Sequence, residues 1–250
     1  MLDGVSLHLD HAQIARFVHV PAVASTMDLA HELAAGGAPS GTVVVADVQT
    51  AGRGRSGKAW QSRAGEGLWC TVLERVPSVA ALDVLSLRVG LAVLECAQPM
   101  CNHRLGLKWP NDVVVRDDME RGVLRKLAGV LIEARWRDAQ VEWVAIGIGL
   151  NLRDAPDSRS ASTSFSRAAL RDDVHRVELL EALIPAVRSA AQCDGWNEVD
   201  AMVGRQCVSP GEGVVIGVES DGALSVRAHD GVITRHRSGS LILREENAAC

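Results

Sequence analysis

The sequence predicts an α+β fold, a sheet with helices packed on it and a small β-barrel at its C-terminal end, rather than a doubly wound parallel sheet. Two observations carry this. Lys126–Trp136 and Val141–Leu150 are long apolar runs joined only by the polar turn Arg137-Asp138-Ala139-Gln140, which makes them an antiparallel hairpin. From Arg205 onward the texture shortens to Val214–Val218, Ala223–Ala228, Val232–Arg235 and Leu241–Leu243, separated by glycine-containing turns, the pattern of a compact barrel. The expected boundary therefore divides a larger domain over 1–204 from a smaller one over 205–250.

Taken in order, residues 1–24 show no periodicity for a helix-turn-helix unit and are too few for a winged DNA-binding domain. Ser25 and Asp28 fit a capping box that opens a short helix, with Ala30, Leu33 and Ala34 on one face and Gly36-Gly37 as its stop. Thr42–Val48 and Leu68–Leu73 read as strands. Ser78, after Pro77, opens a helix to about Ala97 that turns Leu82, Leu85, Val89 and Val93 inward. Leu105–Trp109 and Asp112–Arg116 are strands interrupted at Pro110, which cannot donate to a ladder, so a bulge or bend is expected there. Arg153–Ser166, rich in Ser, Asp and Arg, has no period and reads equally as a mobile lid or a plain surface loop. Val174–Ala191 is a helix with Val174, Val177, Leu180, Ile184 and Val187 inward and a kink at Pro185.

Composition narrows the function classes. A chain of 250 residues, 47% hydrophobic and 23% charged, is that of a soluble globular protein with room for a core. No uncharged apolar run approaches about 18 residues, and Met1–Asp10 lacks the basic start and apolar stretch of a signal peptide, so a cytoplasmic protein without membrane association is expected. The six cysteines form no C-x-x-C pair and read as reduced thiols. With no tyrosine and two phenylalanines, a stacking platform for single-stranded nucleic acid is not expected. The histidines form no His-Glu-x-x-His group, and no Gly-x-Ser-x-Gly elbow occurs, so neither a zinc nor a serine hydrolase is indicated.

Positive charge gathers in one place. Between Gln49 and Gly65 lie Arg53, Arg55, Lys58 and Arg63 with no acidic residue, in a chain of formal charge −5, which suits a small phosphate-bearing ligand. Gly52-x-Gly54-x-x-Gly57 matches a dinucleotide fingerprint and Gly52-x-x-x-x-Gly57-Lys58 falls one residue short of a Walker A loop, Ala59 lacking the hydroxyl. Both need a helix to follow, and Gln61–Leu68 has no apolar residues at helical spacing. A basic surface loop stands as the plain alternative.

Further motifs follow in order: Lys108-Trp109-Pro110-Asn111-Asp112, then Arg125-Lys126-Leu127-Ala128-Gly129-Val130-Leu131-Ile132-Glu133, then Gly147-Ile148-Gly149-Leu150-Asn151-Leu152. With Ser25-Thr26 and the Gln49–Trp60 loop, this set resembles the biotin protein ligase family, from about Ser25 to the C-terminus, in its short form without an N-terminal DNA-binding domain. The resemblance implies a mixed sheet backed by helices, of the class II synthetase-like or biotin–lipoate ligase-like kind, and an SH3-like C-terminal domain. It also implies an enzyme that activates biotin with ATP and attaches it to a lysine of a biotin carboxyl carrier protein domain of a biotin-dependent carboxylase. No nucleic-acid or membrane partner is expected, and the chain should be a monomer or weak homodimer.

Site roles follow from the same resemblance. Ser25, Thr26, Met27 and Gln49 would meet the ureido end of biotin, whose carbonyl and N–H groups suit small hydroxyls and an amide. Gly52, Arg53, Gly54 and Arg55 would wrap biotin and its activated phosphate, with Gly129, Gly147 and Gly149 along the pocket. Lys126 would stand beside the carboxylate and α-phosphate, where a compact charge suits an oxygen growing more negative. Arg55, Lys58, Trp60, Lys108, Asn111 and Asn151 would hold ATP, and Asp112 reads either as a turn residue or as the carboxylate that orients or deprotonates the acceptor lysine. Mg2+ would enter with ATP, near Asp112, with no metal site made by protein alone. The sequence departs from the family pattern at Met27, Ser56 and Ser240, which bear on the ureido contact, the phosphate charge and the C-terminal contribution to ATP binding. A lipoate ligase or related acyltransferase of the same fold is the rival enzyme, and a non-enzymatic biotin-responsive regulator the rival of another class.

Overall fold

The computed structural model describes residues 14–75, 82–116, 124–153, 170–190 and 195–244. Period-two patterning builds its main sheet: on Gly67–Glu74 the residues Leu68, Cys70 and Val72 face a buried core, while Trp69 and Thr71 face the other way. The elements run β1 (Arg16–Val23), α1 (Thr26–Ala35), β2 (Thr42–Gln49), β3 (Gly67–Glu74), α2 (Leu85–Ala97), β4 (Arg104–Lys108), β5 (Asp112–Arg116), β6 (Arg125–Arg137), β7 (Gln140–Asn151) and α3 (Arg176–Ser189). The sheet order is β1-β2-β3-β7-β6-β5-β4. Only β1 and β2 pair in parallel, so the sheet is mixed.

Helices α2 and α3 pack together against the core face, burying Leu85, Val89, Val93, Val177, Leu180 and Ile184 among others. Helix α1 crosses the opposite face, capped by Ser25, whose Oγ accepts from the Met27 N–H at 3.3 Å, and stopped at Gly36. A second, antiparallel sheet of β8 (Gln206–Ser209), β9 (Gly213–Val218), β10 (Leu224–Arg227), β11 (Ile233–His236) and β12 (Ile242–Leu243) has the order β11-β10-β9-β8-β12. It is the small β-unit expected at this end. Among the described residues no helix is long and apolar enough to cross a membrane.

The local expectations are refined in three places. Of the bulge or bend expected at Pro110 the structure shows the bend, a tight turn: β4 and β5 pair with Lys108 opposite Asp112, and the Trp109-Pro110 peptide between them is cis. Strands β1 and β8 were not anticipated, β1 because it is a half-exposed edge whose parallel partner lies beyond α1. Helix α3 starts at Arg176 instead of Val174, with Pro185 inside it. Helix α2 likewise starts at Leu85, after a turn over 82–84 with Val84 as its N-cap, so it does not run unbroken from Ser78. Ser78 itself and nearly all of the Arg153–Ser166 segment lie outside the described residues.

Contacts from the main sheet reach the C-terminal sheet and the segment leading into it. The Trp109 indole N–H donates to the Gly222 carbonyl at 3.0 Å, and the Ala201 N–H donates to the Leu107 carbonyl at 2.9 Å.

Candidate active site

Glycines make the floor. Gly129 on β6 stands opposite Gly149 on β7, and Thr71 on β3 stands opposite Gly147, so these positions share the sheet face away from the core. The bareness is used: a Cβ on Gly149 would lie 2.3 Å from the Trp60 indole, one on Gly129 would lie 2.9 Å from it, and one on Gly147 would lie 2.7 Å from the Met27 sulfur. The Trp60 ring thus lies on bare backbone, edge-on to Trp69 with ring centres 6.2 Å apart. Its indole N–H is buried without a hydrogen-bond partner, so it can still donate to an acceptor on a ligand. Around this floor is a cavity of about 430 Å3, ordinary for a small-molecule site.

One end of the cavity is a relay of neutral polar groups. Thr71 Oγ1 donates to Thr26 Oγ1 at 2.8 Å, which donates to Gln49 Oε1 at 3.1 Å. Gln49 Oε1 also accepts the Thr26 N–H at 2.9 Å, and Gln49 Nε2 donates to Ser62 Oγ at 2.8 Å. These bonds fix the amide's orientation and leave one Gln49 N–H and the Ser25 hydroxyl hydrogen for a ligand.

Charge occupies the other end. Lys126 Nζ sits 2.6 Å from Asp112 Oδ1, an ionic contact without hydrogen-bond geometry, and 5.0 Å from the centre of the Trp60 ring. Asp112 is the only carboxylate among the described lining residues, and the same residues include Lys108, itself 3% exposed. Burial pushes the Arg55 guanidinium down while the Asp112 charge raises it. Among the described residues Arg55 forms no salt bridge, which leaves its planar fork for an anion. Arg53 differs. Its Nη1 donates to Asp28 and its Nη2 to both Glu133 oxygens at 3.1 and 3.2 Å. Burial works against that charge, but the two carboxylates outweigh it and raise the guanidinium above its ordinary value.

The structure brings the sequence-selected residues into one lining: Ser25, Thr26, Met27, Gln49, Arg53, Gly54, Arg55, Lys58, Trp60, Lys108, Asn111, Asp112, Lys126, Gly129, Gly147, Gly149 and Asn151. Gly52 is outside it; a Cβ there would lie 2.6 Å from the Trp60 carbonyl, so this glycine lets the loop close on itself. Asn111 and Asn151 have backbone duties as well, Nδ2 of the first donating to the Val130 carbonyl at 2.7 Å and of the second to the Lys126 carbonyl at 3.1 Å. Sequence reasoning missed Thr71 and Ser62, although alternation from Trp69 would have put Thr71 on the cavity face. Ser240, singled out in the sequence for its bearing on ATP binding, lines the cavity too, and beside it sequence reasoning missed Leu241 and Ile242 as cavity wall. Cys70, another lining residue, is pushed up to about 12 by burial and so is no nucleophile. Among the described residues, no group of three or more His, Cys, Asp and Glu could hold a metal ion.

Comparison with known proteins agrees with this geometry. Residues 20–151 match the model of the biotin/lipoate A/B protein ligase family. The bifunctional ligase/repressor BirA of Bacillus spizizenii is 35% identical over 159 residues, 61% of this chain and 46% of that protein. The chain thus spans about half the length of the first curated relatives it matches. The biotin–[acetyl-CoA-carboxylase] ligase of Paracoccus denitrificans is 30% identical over 210 residues, 75% of this chain and 85% of that protein. The solved biotin protein ligase from Aquifex aeolicus in complex with biotin and ATP has a TM-score of 0.69 at 25% identity, over 92% of this chain and 98% of that one. A family model matched over more than half of the chain, and a relative matched along most of its own length, make this chain a member of the biotin/lipoate A/B protein ligase family, alongside biotin protein ligases.

Proposed function

We propose that the chain is an ATP-dependent biotin protein ligase, which makes biotinyl-5'-AMP and transfers biotin to a lysine of a biotin carboxyl carrier protein domain. One observation carries the reading: the fixed Thr26–Gln49 amide relay and the cations Arg55 and Lys126 face one cavity over the glycine floor. A ligand with a polar neutral ring at one end and a carboxylate at the other fits that polarity. The Paracoccus relative carries the name of a ligase acting on acetyl-CoA carboxylase, which supports the carrier domain as acceptor.

In the first step the biotin carboxylate attacks the α-phosphorus of ATP and pyrophosphate leaves. Two anions must approach, and Arg55, Lys126 and Lys108 offset their repulsion while the glycine backbone lets the reactants lie close. Asn111 and Asn151 hold the strand ends that carry the phosphate side, and Trp60 flanks the nucleotide. In the second step the neutral lysine amine attacks the acyl carbon, AMP leaves, and the amine proton passes to Asp112. Mg2+ would come with the triphosphate; with Asp112 the only carboxylate among the described lining residues, most of its ligands would be phosphate and water oxygens. The catalytic unit is assigned to 1–204, the SH3-like unit to 205–250, and the protein to the cytoplasm.

Incubation with ATP and either biotin or lipoate, with label followed onto a biotin-carrier domain, tests the reading. Biotin-dependent pyrophosphate release and a labelled carrier are expected; turnover with lipoate alone would overturn it.

A further inference from the structure

The two arginines of the Gly52–Arg55 stretch are in opposite situations. Arg55 forms no salt bridge among the described residues, whereas the Arg53 guanidinium is held by two carboxylates from different elements, Asp28 on α1 and Glu133 on β6. Glu133 is itself oriented from behind. His31 Nε2 lies 3.0 Å from Glu133 Oε2, and the Trp143 indole N–H donates to His31 Nδ1 at 2.9 Å, which puts the ring proton on Nε2 for Glu133. The chain Trp143–His31–Glu133–Arg53–Asp28 runs from β7 to α1, and Arg53 is its member that lines the cavity.

The backbone shows where this chain acts on the loop. Arg53 bridges Ala59, the Gly54 N–H donates to the Lys58 carbonyl at 2.7 Å, and the Trp60 N–H donates to the Gly52 carbonyl at 2.8 Å. The loop is therefore a small closed hairpin with Arg53 at its stem, Arg55 toward its tip and Trp60 where it returns to the glycine floor. A guanidinium fork bound at three carboxylate oxygens has little capacity left for a ligand phosphate.

We propose that Arg53 is a positioning residue and that Asp28, Glu133 and His31 form a latch: they tie the stem of the loop to α1 and β6, and so hold Arg55 and Trp60 over the cavity. The latch rests on the functional reading above only for the ligand that it retains. Its partners are half-exposed, with 38, 44 and 34% of the Arg53, Asp28 and Glu133 side chains accessible, so salt screens it and it can open.

The test is the double variant Asp28→Asn/Glu133→Gln, which keeps shape and removes both charges. In the ligand-free protein, hydrogen exchange of the amides of residues 53–60 is expected to rise about tenfold, the scale of losing two half-exposed charge-assisted contacts, while exchange in β3 and β7 stays as it was. Raising KCl from 0.05 to about 1 M should speed loop exchange in the wild type and not in the variant. With biotin and ATP, dissociation of the adenylate should quicken about tenfold while single-turnover formation at saturating substrate holds within about threefold. Arg53→Lys, able to reach one carboxylate only, should give an intermediate loop exchange rate. Unchanged loop exchange in the double variant would overturn the latch, and so would a loss confined to adenylate formation, which would make Arg53 a substrate contact. The exchange arm uses the free chain, so it decides the latch even where turnover with biotin fails.

Discussion

The Lys126–Asp112 contact at 2.6 Å ties together two charges that the two half-reactions of the proposed ligase would use differently. Adenylate formation needs the lysine charge beside a phosphate oxygen, while transfer needs a carboxylate to take a proton from the incoming amine. Lys126→Ala and Arg55→Ala are each expected to lower single-turnover adenylate formation by about 100-fold, the scale of losing a preorganised charge contact. Asp112→Asn should slow transfer from preformed adenylate by about 100-fold and adenylate formation by about tenfold, since the lysine loses the group that aims it. Rapid-quench measurement of each step checks this; a wild-type transfer rate in the variant would reduce Asp112 to a partner of Lys126. Which residues gather at the site was legible in the sequence, because the motifs are local. Which arginine is engaged was not, because its carboxylates lie 25 and 80 residues away along the chain.

At the scale of elements, the site is a glycine floor on β6 and β7 with a hairpin folded over it. The hairpin pair was readable because long apolar runs flank a polar turn, whereas the floor glycines were placed at the site only by the family resemblance, and that they share one face follows from the β6–β7 register. Strand β1 was not, since it alternates weakly, contains Pro21 and pairs in parallel across a helix. The Pro110 break was readable only as a bulge or a bend: proline ends a ladder equally by bulging a strand or by turning it back, and only the Lys108–Asp112 pairing distinguishes them. Gly149→Ala tests the floor. Its Cβ would meet Trp60 at 2.3 Å and displace the indole, so biotin affinity should fall at least tenfold, with a stability loss of about 1–3 kcal/mol for overpacking. Calorimetric titration and thermal melting read the two effects; wild-type affinity with an unshifted tryptophan emission would contradict the packing.

For the whole molecule, the junction between the sheets matters most. Asp200 sits there, its Oδ1 accepting the Met202 N–H at 2.7 Å and its Oδ2 buried without a partner. Burial pushes its carboxyl from 3.8 up to about 6, although the Met202 N–H and the Arg116 charge pull the other way. The folded state therefore holds this proton more tightly than the unfolded chain does. Its stabilising contribution is full below about pH 4 and is lost as the pH rises through about 6, at most about 3 kcal/mol. Asp200→Asn keeps the Oδ1 acceptor and removes the charge, so it should raise the melting temperature at pH 8 and leave it nearly unchanged at pH 4; equal shifts at both would refute the assignment. Across the same junction, the Trp109 indole hangs on the Gly222 carbonyl, 113 residues away in sequence. Because Trp109 also lines the cavity, that bond makes the C-terminal strands a handle on its width. Force applied to the turn that leads into β10, even with no substrate contact of its own, would be felt as a change in how tightly the protein grips what it holds.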